Sequence, residues 1–224
     1  MNIFSRILLS SSLLIAASAC SDSDTDGVGM EMYQDIVTLS QLGSNSSTFD
    51  FQVVDDSPLV TLTADVRLNP EKFPVGARLF ITYTSPSTTY GQNAHISLYA
   101  VSRIYEASLV ADGSSHVPEW WDNEPVAVTT LYRSGSYINL IAQIDNSENR
   151  SFYIAPDAAT LSSSQPEIYI YTKSTAGDAA IYKRRTVASF SIADIWSRPD
   201  VTAVTVHIAN SENPYKTSFK FNKK

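Results

Sequence analysis

The chain contains one cysteine, Cys20, which closes the run Leu14-Ile15-Ala16-Ala17-Ser18-Ala19-Cys20. A single thiol can take one covalent attachment, and it has no second thiol with which to form a disulfide. The three histidines, His95, His116 and His207, stand far apart and in unlike contexts. His95 and His207 fall in strand patterns, where a hydrogen-bonded imidazole is expected. His116 lies near Glu119 and Asp122, the one place where a metal or catalytic histidine would have acids beside it. No G-x-S-x-G elbow, H-E-x-x-H, P-loop or G-x-G-x-x-G is present. No catalytic residue, metal ligand or cofactor is therefore assigned. Paired carboxylates for glycoside hydrolysis are defined by separation in space, which a sequence does not supply. The candidate contact residues are Trp120 and Trp121, flanked by Glu119, Asp122 and Glu124. Two adjacent indoles beside acids could stack on a sugar or anchor a partner. The other reading is that one ring plugs the seam between two domains and the other covers it.

The elements that position these residues begin with residues 1–19. Arg6 supplies a basic start, an apolar stretch runs from Ile7 to Ala17, and small residues end it. That stretch is shorter than the ~20 residues a membrane span needs and has the form of a cleaved signal peptide. With Ser18 and Ala19 before Cys20 it resembles a lipobox, although Ala17 stands where the pattern prefers Leu. Bacterial lipoproteins of this kind carry a diacylglyceryl thioether and an N-acyl chain on the cysteine, and two or more chains give stable anchoring. The resemblance thus implies a membrane anchor at Cys20 and leaves no free thiol. Residues 20–32 then read as an acidic tether, Ser-Asp-Ser-Asp-Thr-Asp-Gly-Val-Gly at its start, with little to bury. Asp22, Asp24, Asp26 and Gly27 match the opening of a calcium loop, but its twelfth position is Tyr33 rather than Glu. An acidic stretch after the lipid cysteine resembles the surface-export signal of some Gram-negative lipoproteins. That resemblance implies the outer membrane and an outward orientation, with the periplasm-facing leaflet as the alternative.

The chain has 16 Lys and Arg against 23 Asp and Glu, a net charge of −7. Removal of Arg6 with the signal makes it −8. Phosphate backbones are held by clustered basic residues, so nucleic acid is excluded as a partner. Lys183-Arg184-Arg185 is one basic run, expected at a solvated strand end or turn. Charged residues make up only 17%, and with 12 Tyr and 9 Phe among many Thr, Val and Ile the composition is that of strands.

Val60 to Leu68 alternates apolar and polar residues without a break, as a half-buried strand does. Further strands are expected over Asp35–Leu39, Phe49–Val54, Ala77–Thr84 and the long His95–Leu109. Ala111-Asp112-Gly113-Ser114-Ser115 reads as a domain boundary, giving one unit over 33–110 and another over 111–224. In the second unit strands are expected over Val126–Tyr132 and Tyr137–Ile144, flanking a hairpin turn, then Phe152–Ile154, Ile168–Thr172, Thr186–Ile192, Val201–Ile208 and Phe219–Phe221. Tyr169 and Tyr171 alternate with isoleucines and are expected on an exposed strand face. Tyr83, Tyr90 and Tyr99 are candidates for a polymer-binding barrel face. Ile192–Ser197 is expected to make one helical turn. Asn-Ser-Glu-Asn occurs at 146–149 and 210–213, as two similar turns.

The order of these pieces resembles the NigD-like lipoprotein family. The matching segments are the lipobox, Gly76-Ala77-Arg78-Leu79 to Thr84, Ile96-Ser97-Leu98-Tyr99-Ala100-Val101, Asp122-Asn123-Glu124-Pro125-Val126, Ser136-Tyr137-Ile138-Asn139-Leu140 and Ser189-Phe190-Ser191-Ile192. Ser114 to Trp121 departs from it. The resemblance implies an all-β chain: an N-terminal OB-like barrel followed by a C-terminal immunoglobulin-like β-sandwich. It brings no catalytic residues. The expectation is a non-enzymatic binding or structural module whose partner is an envelope protein or glycan. The alternatives are a bacteriocin-associated immunity factor and an envelope glycan or peptide hydrolase.

Overall fold

The computed structural model describes residues 31–86, 90–110, 124–175 and 182–223. Cys20, the acidic run at Asp22, His116, Trp120 and Trp121 lie outside the described residues. Five strands, β1 (Met32–Leu42), β2 (Ser47–Gln52), β3 (Leu59–Ala64), β4 (Arg78–Thr84) and β5 (Ala94–Arg103), close into a barrel in the order β1-β2-β3-β5-β4. β3 and β5 run parallel, and the other neighbours are antiparallel. This is the OB-like barrel expected from the sequence. Alternate residues fill it, among them Val37, Leu39, Phe49, Phe51, Val60, Leu62, Leu79 and Ile81.

The period-two pattern from Val60 to Leu68 outruns the strand, which ends at Ala64. The buried Ser47 Oγ donates to the Val66 carbonyl at 2.7 Å and accepts from the Leu68 N–H at 2.9 Å. This clasp turns the chain inward, so Val66 faces solvent while Leu68 joins the barrel core.

The long third strand expected over His95–Leu109 is divided. Only Ile104 separates β5 from β6 (Tyr105–Ser108), and β6 pairs in parallel with β11 (Lys183–Ser191). A strand within the span expected for the barrel thus makes its ladder in the second half of the molecule. There, β7 (Ala127–Ser134), β8 (Tyr137–Asp145), β6 and β11 form one four-stranded sheet. β9 (Asn149–Pro156), β10 (Glu167–Thr175), β12 (Ala203–Ile208) and β13 (Ser218–Asn222) form the other. Side chains of both sheets share one core that includes Ile138, Leu140, Phe190, Phe152, Ile168 and Val206. Immunoglobulin sheets are antiparallel; each of these carries one parallel pair, β6·β11 and β10·β12. The expected helical turn is α1 (Ala193–Trp196), which buries Ile195 and Trp196.

The seam between barrel and sheets is polar and is built on two buried arginines. Arg133 of β7 is bidentate to Asp56, at 2.8 Å to each oxygen, donates to the Gly135 carbonyl at 2.7 Å, and lies 4.2 Å over the Trp196 ring. The β2–β3 loop docks alongside: the Asp55 N–H donates to the Arg133 carbonyl, the Gly135 N–H to the Asp55 carbonyl, and Ser134 Oγ to the Gln52 carbonyl. Gly135 holds φ +57°, and a Cβ there would collide with the Gln52 side chain, so glycine fits the backbone and the approach alike. Arg78 of β4 crosses in the other direction to Ser189 and Asn139.

Candidate functional site

The outward face of the β9–β10–β12–β13 sheet carries a compact group of aromatic and hydrogen-bonding side chains. Alternation along β10 buries Ile168 and Ile170 and turns Glu167, Tyr169 and Tyr171 outward. Along β12 it buries Val206 and Ile208 and turns His207 outward. Register does the rest. Tyr169 stands opposite His207, His207 opposite Ser218, and Tyr171 opposite Tyr153, so four strands deliver one cluster.

The cluster is ordered by its own contacts. The His207 ring stacks on Tyr169 with centroids 4.7 Å apart and planes at 19°, and Tyr169 and Tyr171 are 6.0 Å apart at 28°. His207 Nε2 meets Glu167 Oε2 at 2.7 Å, and Nδ1 meets Ser218 Oγ at 2.9 Å. Burial, then the charges of Glu167 and Asp157, raise the Tyr169 phenol above its ordinary value; burial raises Tyr171 as well. Both therefore stay protonated donors at neutral pH.

Ser218, His207 and Glu167 reproduce the chain of contacts of a nucleophile, a base and an orienting acid. Their setting differs: Ser218 is exposed on an edge strand, and neither of the two described cavities is lined by any of the three. His207 was expected to be a hydrogen-bonded strand histidine, and it is. Its partners lie 40 and 11 residues away, so nothing near it in sequence announces them. His95 is exposed beside Asp65, at 4.0 Å.

The three barrel tyrosines do not share a face. Tyr83 points inward and is 2% exposed, whereas Tyr99 sits at a β5 bulge and is 60% exposed. Tyr83 and Tyr90 instead enclose a carboxylate, Asp35, which is 8% exposed: their hydroxyls donate to its two oxygens at 2.7 and 2.5 Å. Tyr33 covers the group, with ring centroids 5.6 Å from Tyr83 and 5.5 Å from Tyr90. The cavity beside these rings is about 10 Å³, no more than the space of one water. Among the described residues, the tyrosine rings fill this end of the barrel.

Burial raises the Asp35 carboxyl above its ordinary 3.8, and the two tyrosine hydrogen bonds oppose that shift only in part. A group that binds its proton more tightly in the folded state stabilises fully below its unfolded value; that contribution is lost as the pH rises through the folded value. Asp35→Asn is accordingly expected to unfold no more easily than the wild type at pH 7. Relative to the variant, the wild type should lose stability as the pH rises from 3.8 through the folded value. Thermal melts of both proteins across the acid range check this, and a large loss in the variant at pH 7 would refute it.

No family model matches the chain, and no curated protein matches its sequence. Solved structures do share its fold. A NigD-like immunity protein from Bacteroides caccae aligns with TM-score 0.57 and 16% identity over 85% of this chain and 92% of its own. A protein of unknown function from Bacteroides vulgatus aligns with TM-score 0.58 and 10% identity over 87% and 90%. A candidate lipoprotein from Bacteroides fragilis aligns with TM-score 0.56 and 13% identity over 87% and 98%. The order of barrel strands and sheets thus bears out, at the level of fold, the resemblance read from the sequence: the chain has the architecture of the NigD-like proteins.

Proposed function

We propose that the chain is a non-catalytic binding module, held to the bacterial outer membrane by lipid on Cys20, that engages an envelope glycan through the Tyr169–Tyr171–His207 face. The observation that carries the reading is the preordered ring cluster at the centre of that face. Stacked rings fixed by a two-sided hydrogen-bonded histidine have little side-chain entropy left to lose on binding. Glu167, Ser218 and the phenol hydroxyls supply donors and acceptors around them, the mixture a hydroxyl-rich ligand needs. Among the described residues, the exposed aliphatic side chains Met32, Val54, Leu59, Val66 and Val75 lie in the barrel strands or their connections and Val110 follows β6, so none is on the four strands of this face. A glycan therefore fits the face better than a protein partner.

The test is retention on immobilised envelope polysaccharide. Tyr169→Ala with Tyr171→Ala is expected to lower affinity at least tenfold while leaving a cooperative unfolding transition, since both side chains lie on the outward face of the sheet and outside its core. Unchanged retention would overturn the reading. Retention by an envelope protein and not by polysaccharide would replace the glycan with a protein partner, as an immunity role requires.

A further inference from the structure

A cleft of about 150 Å³ opens where the β8–β9 turn, the start of β11 and the β12–β13 loop meet. Gln143, Asp145, Glu148, Arg150, Lys183 and Ser211 line it. We infer that this cleft is a binding site for a small zwitterion of the α-amino acid class, separate from the tyrosine face.

Arg150 and Glu148 are built into the floor, their side chains only 8% and 11% exposed, and they form an ion pair through Arg150 Nη2 and Glu148 Oε1. Arg150 Nη1 donates to Thr172 Oγ1 at 2.9 Å and faces the Glu124 carboxylate at 3.5 Å. Glu124 is itself held by the Ser174 N–H at 2.9 Å. The Glu148 carbonyl accepts from Arg184 at 2.8 Å. With both terminal nitrogens committed, Arg150 Nε is buried and has no acceptor, and Glu148 Oε1, though ion-paired, is buried and has no hydrogen-bond donor. Charged groups taken out of water with a donor and an acceptor unmatched are costly, and the floor of the site is short of one acceptor and one donor.

The walls offer both signs of charge: Asp145 and Glu148 against Arg150 and Lys183. A simple anion or cation would satisfy one pair and confront the other. A molecule with a carboxylate for Arg150 and Lys183 and an ammonium for Asp145 and Glu148 satisfies both. Size narrows the class further. An engineered cavity of about 150 Å³ takes benzene, so this one suits about six non-hydrogen atoms, the size of alanine.

The experiment is calorimetric titration of the full chain with L-alanine, with acetate and ethylamine as probes that each carry one of its charges. Saturable heat with alanine and at least tenfold weaker binding of either single-charge probe is the expected result. Lys183→Ala and Gln143→Ala change exposed rim residues, so they should leave the far-ultraviolet spectrum intact while weakening alanine at least tenfold and severalfold respectively. Arg150→Ala is not used as the test, because it strands Glu148. No saturable heat with alanine, equal binding of acetate, or unaltered affinity in both rim variants would overturn the assignment.

Discussion

Arg133→Ala is expected to destabilise the protein by about 3 kcal/mol, the low end of the range for breaking a buried ion pair. The Arg133 side chain is wholly buried, whereas Asp56 is 42% exposed. Asp56 would therefore be rehydrated when its partner is removed, which keeps the loss from the upper end. What remains uncompensated is the void under Trp196, the unmatched Gly135 carbonyl and the lost stack at 4.2 Å. Arg133→Lys keeps the charge but loses the planar fork that reaches both oxygens of Asp56, so it should recover less than half of the loss. Urea midpoints at unchanged slope measure both. A loss under about 0.5 kcal/mol for the alanine variant would show that the seam is held elsewhere.

Arg78→Ala should cost a similar amount, for a different reason. Its guanidinium donates to Ser189 at 3.0 Å, Thr38 at 2.9 Å and Asn139 at 3.0 Å, and lies 4.2 Å over Tyr137. All three acceptors are neutral. Glu106 takes the backbone N–H of Arg78 instead, at 3.1 Å. Burial pulls the guanidinium below its ordinary value, the mark of a cation short of compensation. A side chain of similar volume without the charge escapes that desolvation, so Arg78→Met should stay within about 1.5 kcal/mol of the wild type while Arg78→Ala loses about 3 kcal/mol. Ser189 Oγ continues to donate to the Asn139 side-chain Oδ1, at 2.8 Å, in either variant. Equal losses in the two variants would mean that the charge, not the packing, holds the seam.

These two arginines also show where the sequence stops being informative. An arginine at the end of a strand reads as surface. Arg78 and Arg133 are interior because of residues 111 and 77 positions away, Ser189 and Asp56. Asp35 has the same history: nothing near it foretells Tyr83 and Tyr90. Local alternation, by contrast, carried through. The barrel strands, the hairpin at Gly135 and the helical turn at Ile195 all follow from neighbours within a few residues. The outward placement of Tyr169 and Tyr171 was legible because a strand period needs no partner. Their meeting with His207 and Glu167 was not, because it depends on the parallel register of β10 and β12. The split of His95–Leu109 into β5 and β6 was hidden for a related reason, since an apolar stretch does not say which of two sheets it joins. Lys183-Arg184-Arg185 falls at a strand start as expected, and Arg185 lies 4.8 Å over Phe80 of the barrel, a contact that only the fold supplies.

The most direct test of the proposed function is a backbone amide chemical-shift map of the chain titrated with envelope polysaccharide. The account predicts saturable shifts centred on Glu167, Tyr169, Tyr171, His207 and Ser218, with the barrel amides of Val60 to Ala64 unmoved. Shifts centred on the barrel, or none at saturating polysaccharide, would contradict it.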